Sequence, residues 1–297
     1  MQHTLHPQPR QEVRPAHSPA WPRERALLLA ILLLALVAVA GPALLQPSNY
    51  HDFADQRAWG ALPHAMDVLS NLPFAFWGLA GAGVLVQALR RQAVDRTAAW
   101  LAALFFGGLM VTTAVSAMYH WQPDSAGLFW DRGGMVLAFA GLLGLAACQG
   151  ISARAGVALA MAVLILGPVS VQVWAVSGNL LPWCVLQFGG MGLIVGLTCL
   201  RPEAAGAGQS HRGLPVRWSL LIALYALAKA LELGDHQVFE WTGHFVSGHS
   251  LKHIVASCAA WPVVAALMDV MKSRAESGSP SRAGSKGADR LSPAPAA

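Results

Sequence analysis

SGHSLKHIVASCAAWPVVAALMDVM, residues 247–271, holds two histidines four positions apart at the head of an apolar run. Ser247 and Gly248 read as a helix start, with Ser247 the candidate N-cap. On a helix, positions i and i+4 lie one above the other on one face. His249 and His253 can therefore reach one metal ion together. The run behind them, 249–271, is long enough as a helix to cross a bilayer, which takes about 20 apolar residues.

Other runs of that kind lie upstream. The 297-residue chain is 55% hydrophobic and only 12% charged, with a mean hydropathy of +0.47. That is not the composition of a soluble globular domain. Apolar runs near 26–45, 66–89, 98–119, 131–150, 155–176, 180–200 and 216–233 bring the total to eight predicted spans. The reading is an all-α, polytopic transmembrane bundle forming one domain over 25–271. Residues 1–24, rich in Pro, Gln, His and Arg, and the Ser/Gly/Pro/Ala tail at 272–297 are expected to be disordered. The first run could be a signal peptide with Arg23 and Arg25 as its charged flank, but at about 20 residues it reads better as an uncleaved span.

The formal net charge of +5 does not point to nucleic acid, because the basic residues sit in short loops and tails. Eight spans place Arg23, Arg25, Arg90, Arg91, Arg96, Arg154, Arg201, Arg212, Arg217, Lys272 and Arg274 on one side, and only Arg57 and Arg132 on the other. The positive-inside rule then puts both termini in the cytoplasm, as expected for a multi-pass protein of a bacterial plasma membrane. Cys148, Cys184, Cys199 and Cys258 have no CxxC spacing and read as small buried apolar residues.

Further polar residues gather at the non-cytoplasmic end. His120 closes the third run, level with the start of the eighth. With His249 and His253 it makes three imidazoles, and three protein ligands with one open position is the donor set of a catalytic zinc site. Imidazole suits zinc better than magnesium or calcium. Haem is disfavoured, because axial histidines normally come from two helices on opposite faces of the ring. Ser116 lies one helical turn before His120. Asp131 opens the fourth run, and a turn through Pro123 can bring it back beside Ser116 and the histidines. Asp67, Ser70 and Asn71, at the head of the second run, are expected to point into the bundle. Lys229 and Glu232, three apart, can pair on one helix face, with Asp235 nearby.

At these residues the chain resembles the alkaline ceramidases, within the larger CREST superfamily of seven-helix membrane hydrolases. Ser116-x-x-x-His120, Trp130-Asp131-Arg132 and Ser247-Gly248-His249-x-x-x-His253 carry the resemblance. Asp67-Val68-Leu69-Ser70-Asn71-Leu72-Pro73-Phe74 is similar to the family's opening motif. The likeness covers roughly 49–271 and makes the first span an addition to a seven-helix core. It implies zinc on His120, His249 and His253, Asp131 as the acid/base and Ser116 as a donor to the oxyanion. The implied reaction is hydrolysis of the amide of a ceramide-like membrane lipid to a fatty acid and a sphingoid base. The family's eukaryotic ceramidases also bind calcium just before the opening motif. Here Asp52, Asp55 and Asp67 offer carboxylates, but Arg57 and His64 fall among them, and calcium takes about six to eight oxygens.

A receptor or sensor for a lipid, keeping zinc only to hold helices together, is the alternative. A closed structural zinc site has no need of Ser116 and Asp131, which favours the enzyme. A transporter is the third reading, disfavoured because the chain shows no convincing internal repeat and its polar groups lie towards one end rather than at mid-membrane.

Overall fold

The computed structural model describes residues 20–199 and 213–277. Among them the chain is all-α, with no strand and only two isolated bridges, Leu45 to Asn179 and Trp59 to Leu62. A helix satisfies its own backbone groups, which is what an apolar surrounding demands. In chain order the helices are α1 (Ala20–Ala40), α2 (Ala65–Leu69), α3 (Leu72–Arg90), α4 (Arg96–Trp121), α5 (Ser125–Gly150), α6 (Ala153–Ser177) and α7 (Leu181–Cys184). They continue with α8 (Gly190–Cys199), α9 (Trp218–Leu233), α10 (Asp235–Trp241), α11 (Gly248–Cys258) and α12 (Trp261–Ser277). A π-helical turn, Val185–Gly189, joins α7 to α8.

Local chemistry starts several of these helices. Asp95, Asp124, Ser152 and Ser247 each accept a backbone N–H from three residues on, at α4, α5, α6 and α11. Such a cap contributes about 1 kcal/mol. Contacts at the two ends set the direction of each pass. At one end Glu24 accepts from Ser152 and Arg154, and Gln149 accepts from Val216 N and Trp218 Nε1. At the other end lie the starts of α2, α5 and α11, the ends of α4 and α9, and the segment 41–64.

Small residues bring α4 and α5 into close contact. A Cβ on Gly108 would stand 2.3 Å from Ala138 N, and one on Gly141 would stand 2.4 Å from Phe105 N. Backbones that approach this closely are the usual device for helix pairs in membranes. The consequence is local to the site: the last two turns of α4, with Ser116 and His120, are pressed against the second turn of α5, with Asp131.

Among the described residues, six segments are long and apolar enough to cross a membrane: Ala65–Arg90, Arg96–Trp121, Ser125–Gly150, Ala153–Ser177, Leu181–Cys199 and Gly248–Ser277. The predicted first and seventh spans fall outside that set. α1 starts six residues earlier than expected and carries Arg23, Glu24 and Arg25 in its opening turns, while α9 has only 16 residues. Both nonetheless run between the same two ends. Other boundaries move too. The predicted N-terminal tail gives way to helix at Ala20, with Pro22 tolerated in the first turn. α12 reaches Ser277, into the predicted C-terminal tail. The eighth run is two helices, broken at Ala259 and Ala260 ahead of Pro262. The rest of both predicted tails, and the loop with Arg201, His211 and Arg212, lie outside the described residues.

Candidate metal centre and cavity

His120 projects from the last turn of α4, and His249 and His253 from the first two turns of α11. All three are buried, and their ligand nitrogens lie within 4.8 Å of one another. Among the described residues this is the one cluster of His, Cys, Asp and Glu that could hold a metal ion. The Nε2 atoms of His249 and His120 stand 3.3 Å apart. Two nitrogens each about 2.0–2.1 Å from one tetrahedral ion would lie about 3.3 Å apart, so this spacing fits a zinc site.

The surroundings aim the rings. Ser70 Oγ donates its only hydrogen to Asp67 O at 3.0 Å, so at His253 Nδ1, 2.8 Å away, it must accept. This arrangement, with the Asp67 backbone also hydrogen-bonded to the ring, favours the Nδ1–H tautomer of His253, which leaves Nε2 as the metal donor. A hydrogen bond on the far nitrogen is how metal-ligating histidines are usually held. The His249 backbone N–H donates to Asp235 Oδ1 at 2.7 Å, while Asp235 Oδ2 accepts from Ala54 N at 2.9 Å. Asp235 thus ties the start of α11 to the segment 41–64. From that segment Phe53 packs on His249 and His120, with ring centroids 4.3 and 4.9 Å away. Nδ1 of His120 is buried and has no partner.

A cavity of ≈ 180 Å³ opens beside the histidines. His249, His253, Ser116 and Asp131 line it, and the Ser116 hydroxyl hydrogen-bonds the Asp131 carboxylate. Asp131 does not open its helix as the sequence suggested, because α5 begins at Ser125. Asp124 caps α5, and Asp131 sits in the second turn, facing inward. Lys229 and Glu232 pair on α9 as expected, and Lys252 from α11 donates to the second oxygen of Glu232 at 2.8 Å. The greater part of the wall is apolar, with Phe105, Leu109, Met135 and Leu142 among its residues.

The residues named for calcium do not assemble a calcium site. Both oxygens of Asp55 are taken by Arg57, Asp52 Oδ1 accepts from Gln56, and Asp67 Oδ1 accepts from Ser247 and Ser250. Asp67 Oδ2 alone is buried without a partner. Arg57 also donates to Phe245 O at 3.0 Å, so a guanidinium bridges these loops.

Of the residues the sequence singled out, the structure groups His120 with His249 and His253 and puts Ser116 and Asp131 on a cavity wall with His249 and His253. Sequence reasoning missed Phe53, Lys252 and the Arg132 environment. Phe53 and Lys252 meet their partners across long sequence gaps, and no spacing signals them. Ser70 was legible only as an inward-facing residue. No family model matches this chain, and no curated protein matches it significantly.

Proposed function

We propose that this chain is a zinc-dependent membrane hydrolase that cleaves the amide bond of ceramide-like lipids, as the resemblance to alkaline ceramidases implies. The observation that carries the reading is the pairing of Ser116 with Asp131 on a cavity wall shared with His249 and His253. A structural metal site would need neither group, nor a cavity. His120, His249 and His253 would hold the ion. Bound there, zinc supplies a Lewis acid that polarises a carbonyl and makes water nucleophilic near neutral pH.

The chain's own residues would do the rest. Asp131 accepts the proton of the attacking water and later delivers it to the leaving amine nitrogen as the C–N bond breaks. The Ser116 hydroxyl donates to Asp131 while that group is a carboxylate. Once Asp131 takes up a proton it is a poorer acceptor, and the same hydroxyl is released to donate to the developing oxyanion. The apolar wall accommodates the acyl chain and limits bulk water.

The test combines metal analysis of the purified protein with fatty-acid release from a panel of ceramides, with and without chelator. About one zinc per chain is expected, and hydrolysis that chelation abolishes. Asp131→Asn should keep the metal and lose about 100- to 10000-fold in turnover. Ser116→Ala should lose about 100- to 1000-fold. Asp131→Asn turning over at the wild-type rate would remove that residue from the chemistry. A zinc-loaded wild type that binds lipid and cleaves neither amide nor ester would support the receptor instead.

A further inference from the structure

Arg132 follows Asp131 on α5 and lines the same cavity. It is 2% exposed, and a guanidinium stays charged there. Its Cζ stands 4.1 Å from the ring centre of Trp174, 5.4 Å from that of Tyr50 and 5.8 Å from that of Trp183. Three aromatic rings thus lie around the guanidinium carbon. Ring faces leave its N–H groups to find acceptors elsewhere. Nη2 donates to Gln46 Oε1 at 2.8 Å, and the Tyr50 hydroxyl is within reach. Nε and Nη1 have no acceptor.

No nearby carboxylate hydrogen-bonds these two nitrogens, although Asp131 feels the charge. Asp131 is hydrogen-bonded to Ser116, and Glu232 is shared by Lys229 and Lys252. Arg132, Lys229 and Lys252 therefore face the cavity against Asp131 and Glu232, three cationic groups to two carboxylates. A buried guanidinium with idle donors is costly, and charged groups inside a membrane bundle are usually retained for a ligand or a pathway.

We infer that Arg132 receives an oxyanion, a carboxylate or phosphate, carried by the head group of the lipid that enters this cavity. Among ceramide-like N-acyl lipids, those with an anionic head group would then be the preferred substrates. As a statement about substrate this rests on the hydrolase reading, whereas the binding preference rests on Arg132 alone. Guanidinium groups recognise both anions by in-plane hydrogen bonds.

Binding to the full-length protein in detergent is compared for two ligand pairs. N-palmitoylglycine and palmitoylethanolamide differ by a carboxylate, and ceramide 1-phosphate and ceramide differ by a phosphate. The wild type should bind the anionic member of at least one pair ten-fold or more tighter, and the pair that responds identifies the anion. Arg132→Gln should lose the preference while binding of the neutral member changes less than about three-fold, and Arg132→Lys should recover part of it. Equal binding of both members of both pairs by the wild type overturns the inference without recourse to any variant. A preference that survives in Arg132→Gln but disappears with chelator assigns the anion to the metal and also overturns it. Hydrolysis is scored separately, so a protein that binds anions and cleaves nothing would overturn the enzyme and leave the anion site standing.

Discussion

Ser70 helps to set the tautomer of His253. Its hydroxyl hydrogen goes to Asp67 O, so its lone pair takes Nδ1–H and leaves Nε2 as the metal donor. Removing the hydroxyl takes away one of the ring's hydrogen-bond partners and leaves the Asp67 backbone as the other. Losing such an outer partner typically costs about 10- to 100-fold in metal affinity. Ser70→Ala is therefore expected to hold zinc about 10- to 100-fold more weakly in competition with a chromophoric chelator, and Ser70→Thr, which keeps the hydroxyl, to stay near wild type. Equal affinity in Ser70→Ala and wild type would show that the Asp67 backbone and packing against Phe74, 6.3 Å away ring to ring, orient His253 without the hydroxyl. At this scale the sequence was legible where residues are near neighbours in the chain. HxxxH on one helical face and SxxxH one turn apart are short-range patterns. The Ser70 contact spans 183 positions and leaves no such pattern.

Two elements hold the start of α11 in place. On one side α11 packs against the end of α9 and the start of α10. A Cβ at Gly248 would stand 2.3 Å from Leu231 O and 2.8 Å from Asp235 Cα. Both neighbours are backbone, so they cannot swing aside. Gly248→Ala should cost about 1–3 kcal/mol, and it should displace His249, lowering zinc content together with the thermal midpoint. A variant that melts early with full zinc would confine the strain to the helix contact. On the other side lies the segment 41–64, cross-braced by Arg57 to Asp55 and to Phe245 O. Burial pushes the Asp55 carboxyl up, but hydrogen bonds from Arg57 and its charge outweigh this, and the group ends below its ordinary 3.8. A depressed folded-state value gives stability that is present above the unfolded value and lost as pH falls through the folded one. The brace should therefore weaken as pH drops below about 3.8. Subtracting the pH profile of thermal unfolding for Arg57→Gln from that of wild type isolates the pair among the other carboxylates. Parallel profiles from neutral pH down to pH ~3 would show that the pair contributes nothing. The element starts show why boundaries were harder to read than elements. Ser247 was recognised as a cap because an apolar run begins directly behind it. At α5, Asp124 caps a helix whose first turn is only weakly apolar, so Asp131 was mistaken for the start.

Across the whole molecule, the arginine-rich loops and the histidine cluster occupy opposite ends. Arg90, Arg91, Arg96, Arg154 and Arg217 belong to the end where Glu24 meets Ser152 and Arg154, while the three histidines and the cavity's polar groups lie towards the other. That separation follows from the connections. α4 begins at Arg96 and ends beside His120, and α5 returns from Ser125 to Gly150. Close contact at Gly108 and Gly141 keeps the two passes side by side. Apolar runs made the helices legible from sequence, but run length alone could not show that α9 is as short as 16 residues or that α1 opens with three charges. Orientation in a membrane depends on the charge bias rather than on either detail, because Lys and Arg near the ends of spans are retained on the cytoplasmic side. The histidine end should therefore face away from the cytoplasm. Ser125 and Arg91, both exposed and at opposite ends, provide the test. In a chain whose native cysteines are replaced by alanine, Ser125→Cys should react with a membrane-impermeant maleimide on intact cells. Arg91→Cys should react only after the cells are permeabilised. The reverse pattern would turn the bundle over and open the cavity's polar end to the cytoplasmic leaflet. Labelling of both positions on intact cells would mean that the chain does not pass from one end to the other through the bilayer.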